Sequence, residues 1–353
     1  MELALATSAL SVTVAMGALA GLTPLARHVD LVDMPDHRKQ HHGAVPLTGG
    51  LSVFLGLLVA WLAVMPFSQG YGVFFLCAFI LVLVGSVDDA RDIPAKFRLG
   101  VQIALGAVLS LGSGVYLTGF GNLFGFGDIG FGGLGPVVTI CAVIAATNMY
   151  NMMDGIDGLA GSMALVTLLG LLVLFMASPA AFSPEVTFSL ALCLGLIPYL
   201  MANLRVRPFR RRIFLGDAGA LFLGFAIVWL LTKGVEAAQP AFRPVTALWL
   251  VALPLMDMAA IMIRRARRGE SVMKPDREHL HHIFMRAGFS DRQALALITL
   301  AAVVMAAIGL AGEWLAVPEW VMLSGFLLVF AGYYQLLTHA WRVLVTMRRH
   351  LAE

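Results

Sequence analysis

Residues 158–178, Gly-Leu-Ala-Gly-Ser-Met-Ala-Leu-Val-Thr-Leu-Leu-Gly-Leu-Leu-Val-Leu-Phe-Met-Ala-Ser, contain no charged side chain. A bilayer core about 30 Å thick requires about 20 consecutive apolar residues in a helix, so this run predicts a membrane-spanning helix. The whole chain has the same character: of its 353 residues, 59% are hydrophobic and 13% are charged, and its mean hydropathy is +0.86. This composition excludes a water-soluble globular protein and predicts an all-α, polytopic integral membrane protein.

Similar apolar runs divide the chain into about eleven predicted transmembrane helices joined by short loops. We place them at residues 3–26, 47–65, 71–87, 98–117, 134–149, 158–178, 185–202, 213–232, 244–263, 293–312 and 318–338. No inverted repeat of the transporter kind and no soluble domain is visible. Residues 1–353 are therefore expected to form a single transmembrane domain.

The basic residues are distributed unevenly among the loops. Of the 24 Lys and Arg residues, all but Lys233 and Arg243 fall in loops of one parity. The positive-inside rule then predicts an external N-terminus and a cytoplasmic C-terminus. The nine histidines and the acidic motifs lie on the same side, so any chemistry is expected to be cytoplasmic.

Adjacent carboxylates, Asp88 and Asp89, end the third predicted span, and Lys96 and Arg98 open the next one. Two neighbouring carboxylates repel each other, so such a pair indicates a divalent cation, a proton or basic partners close by. A solvated helix end with ordinary acid–base pairing is the alternative interpretation.

A second polar motif ends the fifth span. Asn148, Asn151, Asp154 and Asp157 recur every three residues, which predicts a polar stripe along one face of a helical turn. Such a stripe is costly against lipid and therefore indicates a functional site. Asp217 in Gly-Asp-Ala-Gly opens the eighth span, where a phosphate-facing role and a simple N-cap are equally good interpretations.

Two cytoplasmic loops mix basic residues with histidines and suit contacts with phosphate. An ordinary juxtamembrane loop remains an alternative for the loop from Asp33 to Gly43, and transition-metal ligation or a structural role remains one for the loop from Pro275 to His282. The candidate substrate-binding residues in these loops are Lys39, His41, Arg277, His279, His281 and His282. Taken together, the motifs indicate phosphoryl transfer to a lipid phosphate, with an anionic-solute transporter as the rival class.

These motifs, including Asp-Asp, Asn-x-x-Asn-x-x-Asp-Gly-x-Asp-Gly-Leu, Gly-Asp-Ala-Gly and His-x-His-His, resemble those of the polyprenyl-phosphate N-acetylhexosamine-1-phosphate transferases. The resemblance covers nearly the whole chain. It implies a bacterial inner-membrane enzyme that transfers GlcNAc-1-phosphate from UDP-GlcNAc to undecaprenyl phosphate and releases UMP. This would be the first lipid-linked step of surface polysaccharide synthesis. A sister transferase that uses another UDP-HexNAc is the closest alternative.

The resemblance also implies residue roles. Asp88 and Asp89 would be catalytic, Asp217 and Asn151 would hold Mg²⁺, for which Mn²⁺ can substitute, and the remaining candidates would bind substrate. Asn148, Asp154, Asp157, Lys96 and Arg98 belong to this last group, together with the residues of the two loops. Ala220 is a departure from the family pattern, because many members have serine there.

Nothing in the sequence indicates nucleic-acid binding, and homo-oligomerisation is left open. Both a one-step and a covalent two-step route remain open for the transfer. Asp257, within the ninth span, is expected to act mainly through packing.

Overall fold

The computed structural model describes residues 2–34, 43–178, 183–209, 211–236, 239–271 and 279–350, the last eleven as backbone only. These residues are predominantly helical with almost no sheet, which confirms the predicted fold class. The helices are α1 Glu2–Ala26, α2 Gly49–Val64, α3 Gln69–Arg91, α4 Ala95–Ser113, α5 Gly135–Met153, α6 Leu159–Ala177, α7 Pro184–Asn203, α8 Gly216–Val235, α9 Pro244–Leu250, α10 Ala252–Arg267, α11 Leu280–Arg286, α12 Asp291–Trp314 and α13 Glu319–His350. Two short strands, β1 Val32–Asp33 and β2 Val45–Pro46, pair antiparallel.

Two compact units make up the fold. The first comprises residues 1–119 and 130–242, with helices α1 to α8, and the second comprises residues 120–129 and 243–353, with helices α9 to α13. Within the described ranges, nine helices are long and apolar enough to cross a membrane, and α9 with α10 makes ten if the bent pair is one span. The apolar helix α2 has 16 residues. The figure of eleven spans therefore stays a prediction, as does the orientation.

The ninth predicted span, 244–263, is not a continuous helix. It divides into α9 and α10, which meet at an angle of 82°. Val251 between the two helices has non-helical backbone angles, with φ of −107° and ψ of 17°, and Pro254 has no N–H to donate to the carbonyl of Leu250, so one hydrogen bond that would join the two helices is missing. The prediction of one continuous helix over 244–263 was wrong, because apolar composition does not report a backbone break.

Helix α8 is the central helix of the first unit and packs against α2, α3, α5, α6 and α7. Small residues on its surface allow backbones to approach closely, which is the usual basis of helix association in lipid. A Cβ added to Gly85 of α3 would lie 2.5 Å from the Cα of Ala218, and one added to Gly224 would lie 2.3 Å from the carbonyl oxygen of Ala146 in α5. These contacts bring the ends of α3 and α5 up to the start of α8.

The segment before α8 is held by backbone hydrogen bonds to the end of β2 and to the first residues of α2. The Phe214 amide donates to the carbonyl of Pro46 at 2.9 Å, and the amides of Gly49 and Gly50 donate to the carbonyls of Phe214 and Leu215 at 3.0 and 2.9 Å. Since these bonds leave little freedom to the chain that enters α8, they define where the helix begins.

We expect Gly224→Ala to destabilise the protein by about 1–3 kcal/mol, because the new methyl group would overlap the Ala146 carbonyl. The matched control is Gly100→Ala in α4, where nothing lies within 4 Å of the added Cβ and alanine favours the helix. The apparent midpoint of thermal unfolding in detergent checks both variants. Equal midpoints for the two would contradict the close packing of α5 on α8.

Candidate active site

The adjacent carboxylates Asp88 and Asp89 lie in the last turn of α3, which continues four residues beyond its predicted end and stops at Arg91. The next residue, Asp92, adopts a left-handed conformation with φ of 49°, which ends the helix. Consecutive helical residues point in directions about 100° apart, so the two carboxylates have different partners.

The Asp89 carboxylate caps the N-terminus of α8. Its Oδ1 accepts from the backbone N–H of Asp217 at 2.8 Å, and its Oδ2 accepts from that of Ala218 at 3.2 Å. Gly216 permits this contact, because its φ is +75° and a Cβ there would lie 2.5 Å from Asp89 Oδ2. A negative charge at a helix N-terminus is stabilised by the unpaired N–H groups and the helix dipole. The cap of α8 therefore comes from another helix, and the N-cap interpretation of Asp217 was wrong.

Arg98 joins Asp88 to Asp217. Its Nη1 donates to Asp88 Oδ2 at 2.5 Å and to Asp217 Oδ2 at 3.1 Å. Asp88 Oδ1 also accepts from the backbone N–H of Ile93 at 2.8 Å. The Asp88 side chain is 2% exposed, whereas that of Asp217 is 33% exposed. Asp217 is therefore the more accessible of these two carboxylates.

Asn148 and Asn151 lie on the last turns of α5, which extends to Met153 rather than to residue 149. Asn151 Nδ2 donates to Asp217 Oδ1 at 2.6 Å, so Asn151 reaches the same cluster. Asn148 Nδ2 donates to the side chain of Gln102 on α4 at 3.0 Å and to the backbone of its own helix. The two amides thus share a helix face, as predicted, but have different neighbours.

Asp154 and Asp157 lie beyond the end of α5, so the predicted four-residue helical stripe is only half right. Gly155 and Gly158 disfavour a continued helix, and Gly158 adopts a φ of +77° before α6 begins. Asp157 forms an ion pair with Arg212. Asp154 is exposed on the turn after α5 and lies within reach of the charges of Asp217 and Asp157. The excess of carboxylates at this end of the first unit therefore favours bound cations.

The second unit holds the three histidines around the start of α11. His279 Nδ1 lies 2.8 Å from the Asp257 carboxylate. The His281 ring stacks on that of His279 at 5.6 Å and lies 4.1 Å from that of His282. His281 is only 1% exposed, and burial together with its two histidine neighbours lowers the pKa of His281 to about 3. His281 is therefore a buried neutral ring.

The structure brings Asp88, Asp89, Asn151, Asp217 and Arg98 into one cluster, which we call the carboxylate cluster. Lys96 is exposed at the start of α4, while Lys39, His41 and Arg277 lie outside the described residues. Two residues that contact candidate site residues were missed by the sequence analysis: one pairs with Asp157 and the other with Asn148. Arg212 entered the sequence analysis only through the count of basic residues that predicts the orientation, and Gln102 was overlooked although it is an amide within an apolar span, one turn after Arg98.

Comparison with known proteins tests the resemblance that the motifs suggested. A family model described as glycosyl transferase family 4 matches residues 71–235, the part of the chain that carries the carboxylate cluster. An undecaprenyl-phosphate alpha-N-acetylglucosaminyl 1-phosphate transferase from Yersinia pestis is 41% identical over 92% of this chain and 89% of its own length. The chain belongs to glycosyl transferase family 4.

Two further relatives of this family 4 chain carry the same name as the Yersinia protein. The one from Escherichia coli K12 is 41% identical over 92% of this chain and 88% of its own length. The one from Pasteurella multocida is 40% identical over 93% of this chain and 92% of its own length. Since the similarity runs along nearly the full length of these proteins, the predicted resemblance is confirmed.

The donor chemistry of this family 4 chain fits the expected divalent cation. The described residues contain no group of three His, Cys, Asp or Glu side chains arranged to hold a metal ion. A Mg²⁺ site does not need one, because this ion takes one or two carboxylates and completes its shell with water and substrate phosphates. Asp217, the accessible carboxylate, and the neighbouring amide of Asn151 are oxygen-bearing groups of the required kind.

We expect Asp89→Asn to lower the stability of the protein by about 1–3 kcal/mol, because an amide N–H group would face one of the two backbone N–H donors of α8. Activity should fall with it, since Asp217 belongs to the turn that loses its cap. The control is Asp92→Asn, an exposed site whose left-handed backbone suits asparagine. Thermal unfolding in detergent measures both variants, and an unaltered midpoint for Asp89→Asn would refute the capping role.

Proposed function

We propose that this protein transfers GlcNAc-1-phosphate from UDP-GlcNAc to undecaprenyl phosphate, forming undecaprenyl-pyrophosphoryl-GlcNAc and UMP. The observation that carries the proposal is the carboxylate cluster, in which α3, α4, α5 and α8 bring acidic, amide and guanidinium groups to one end of an apolar helix bundle. The names of the full-length relatives support the choice of substrates.

The reaction brings two anions together. An oxygen of the lipid phosphate forms a bond to the β-phosphorus, and the bond from that phosphorus to the bridging oxygen breaks as UMP leaves. A phosphate monoester is already largely dianionic at neutral pH, because its second pKa is about 6, so no strong general base is needed. Neutralising the repulsion is the main requirement, which is typical of phosphoryl transfer.

In this proposal Arg98 supplies a fixed positive charge within the carboxylate cluster, with Lys96 beside it at the start of α4. Mg²⁺, held by Asp217 and Asn151, would neutralise the diphosphate and the charge that develops on UMP. Asp88 keeps Arg98 in place through its 2.5 Å contact and, because its own carboxylate is buried, would orient the lipid phosphate through that guanidinium. Asp89 acts through the start of α8, which carries Asp217.

The nucleotide is assigned to the end of α5 and to the basic loops. Asp154 and Asp157 lie on the glycine-containing turn after α5, where Arg212 holds Asp157, and Asn148 lies on the last turns of the helix. The phosphate contacts are assigned to His279 and His282, with His281 as the ring packed beneath them. Lys39, His41 and Arg277 complete the proposed set.

The second proposal concerns location. We place the protein in the bacterial inner membrane, with the carboxylate cluster on the cytoplasmic side, where a nucleotide sugar is available. The uneven distribution of Lys and Arg supports this orientation. The lipid-linked product would then serve as the starting unit of a surface polysaccharide.

In a variant whose three native cysteines are replaced by serine, we expect Ser271→Cys to react with a membrane-impermeant maleimide only after spheroplasts are opened. Asp128→Cys, placed in the loop after α4, should react in intact spheroplasts. Both positions are exposed and lie outside the helices, so the side of the membrane on which each one lies decides whether it is labelled. Labelling of Ser271→Cys in intact spheroplasts would reverse the orientation.

Purified protein with undecaprenyl phosphate and UDP-GlcNAc should release UMP only when Mg²⁺ or Mn²⁺ is present, and EDTA should abolish the release. UDP-GalNAc and UDP-MurNAc-pentapeptide should be poor donors, and preference for either would point to a sister transferase. Asp217→Asn should lose nearly all activity, because it removes the accessible carboxylate of the proposed metal site.

Asp157→Ala and Arg212→Ala provide the comparison with Asp217→Asn. Both should raise KM for UDP-GlcNAc and leave kcat nearly unchanged, because they disturb a contact made before the chemical step. Near-normal turnover by Asp217→Asn at ordinary Mg²⁺ concentrations would reject Asp217 as a metal ligand.

A further inference from the structure

Asp257 is a completely buried carboxylate in α10, with 0% of its surface exposed. The expectation that it acts mainly through packing does not account for its contacts, because three groups donate to it. They are the ring of His279, the backbone N–H of Leu280 and the hydroxyl of Tyr333 in α13. A buried charge is costly unless it is paired and hydrogen-bonded, so these contacts are what allow the carboxylate to stay there.

The two oxygens of Asp257 have separate tasks. Oδ1 accepts from the Leu280 amide at 3.0 Å and from the Tyr333 hydroxyl at 2.7 Å, so it connects α10 to the start of α11 and to α13. Oδ2 contacts His279 Nδ1 at 2.8 Å. One oxygen therefore holds the helices together, and the other orients a single imidazole ring.

This contact determines which way the His279 ring faces. A carboxylate accepts and cannot donate, so Nδ1 carries a proton, as in other carboxylate–histidine pairs. Nε2 lies on the opposite side of the ring and points away from Asp257. When the ring holds two protons, it donates to Asp257 through Nδ1 and can donate to an anion through Nε2.

We propose that Asp257 is a positioning residue for the transfer reaction. It holds the His279 ring by Nδ1 so that Nε2, on the opposite side of the ring, faces the diphosphate of the nucleotide sugar and can donate to it whenever both nitrogens carry a proton. This inference rests on the proposed function, which assigns His279 to the phosphates. A charge-assisted hydrogen bond is about twice as strong as a neutral one, and it strengthens as negative charge develops on the departing UMP phosphate.

Asp257→Asn tests the proposal selectively. Asparagine retains Oδ1 for Leu280 and Tyr333 but places an N–H group against His279 Nδ1, so the ring must accept there and cannot hold two protons. We expect kcat to fall at least about 10- to 100-fold, the range found when the hydrogen-bonding partner of a metal-bound histidine is altered. Calorimetric binding of UDP-GlcNAc and thermal unfolding in detergent should change little. Tyr333→Phe is the matched control, because it removes a bond to Oδ1 and should leave kcat within about threefold of the parent value.

A double-mutant cycle with His279→Ala distinguishes positioning from a structural role. If Asp257 acts through His279, Asp257→Asn lowers kcat in the parent and has no further effect in the His279→Ala background. If the two losses multiply, the positioning role is overturned while the proposed transferase function stands. A parent protein that releases no UMP would instead refute the function itself, and an active His279→Ala variant would overturn both the role of His279 and that of Asp257.

His279→Asn keeps the proposal testable if Asp257→Asn does not fold. The asparagine amide can donate to Asp257 in place of Nδ1 but has no counterpart of Nε2. We expect this variant to retain its thermal midpoint and lose kcat as His279→Ala does. Full activity of His279→Asn would overturn the proposal.

Discussion

The carboxylate of Asp89 and the start of α8 form the contact on which the rest of the candidate site depends. Two backbone N–H groups of α8 donate to a side chain from α3, and this is possible only because Gly216 and Gly85 let the two helices meet without intervening side chains. Unpaired N–H groups near a membrane are costly, so their acceptor stabilises this particular helix arrangement. Asp217 is carried by the same turn and therefore occupies a defined position.

The electrostatics of the cluster follow from this arrangement. Asp88, Asp89 and Asp217 come together with a single guanidinium, that of Arg98, between two of them. Like charges at such distances repel, so the site is poised to take up cations. A nucleotide diphosphate binds together with Mg²⁺. In the proposed transfer, the carboxylates at the helix ends would attract the Mg²⁺, and the Mg²⁺ would hold the diphosphate beside them.

Much of the site could be predicted from local patterns. Asp88 and Asp89 were expected at a helix end beside Arg98, and the structure shows Asp88 in contact with Arg98. The pairing of Asn151 with Asp217 was expected from the family resemblance alone, and these two side chains are also in contact. The helical stripe through Asp154 and Asp157 was not found, because the glycines after α5 end the helix. The break between α9 and α10 was missed for a related reason, since hydropathy averages over a window and a proline acts on one hydrogen bond.

The sequence by itself determined that this chain is a helical membrane protein, that its Lys and Arg residues fall almost entirely in alternate loops between the predicted spans, and that its acidic motifs resemble those of a phosphotransferase family. These properties depend on composition and on short spacings, because the length of an apolar run and the charges of the loops determine by themselves how a segment inserts into a bilayer. Only the tertiary structure decided the partners: Asp89 with the N–H groups of α8, Arg212 with Asp157, and Asp257 with His279. These residues are far apart along the chain, and helix packing brings them together, so no local pattern could have paired them.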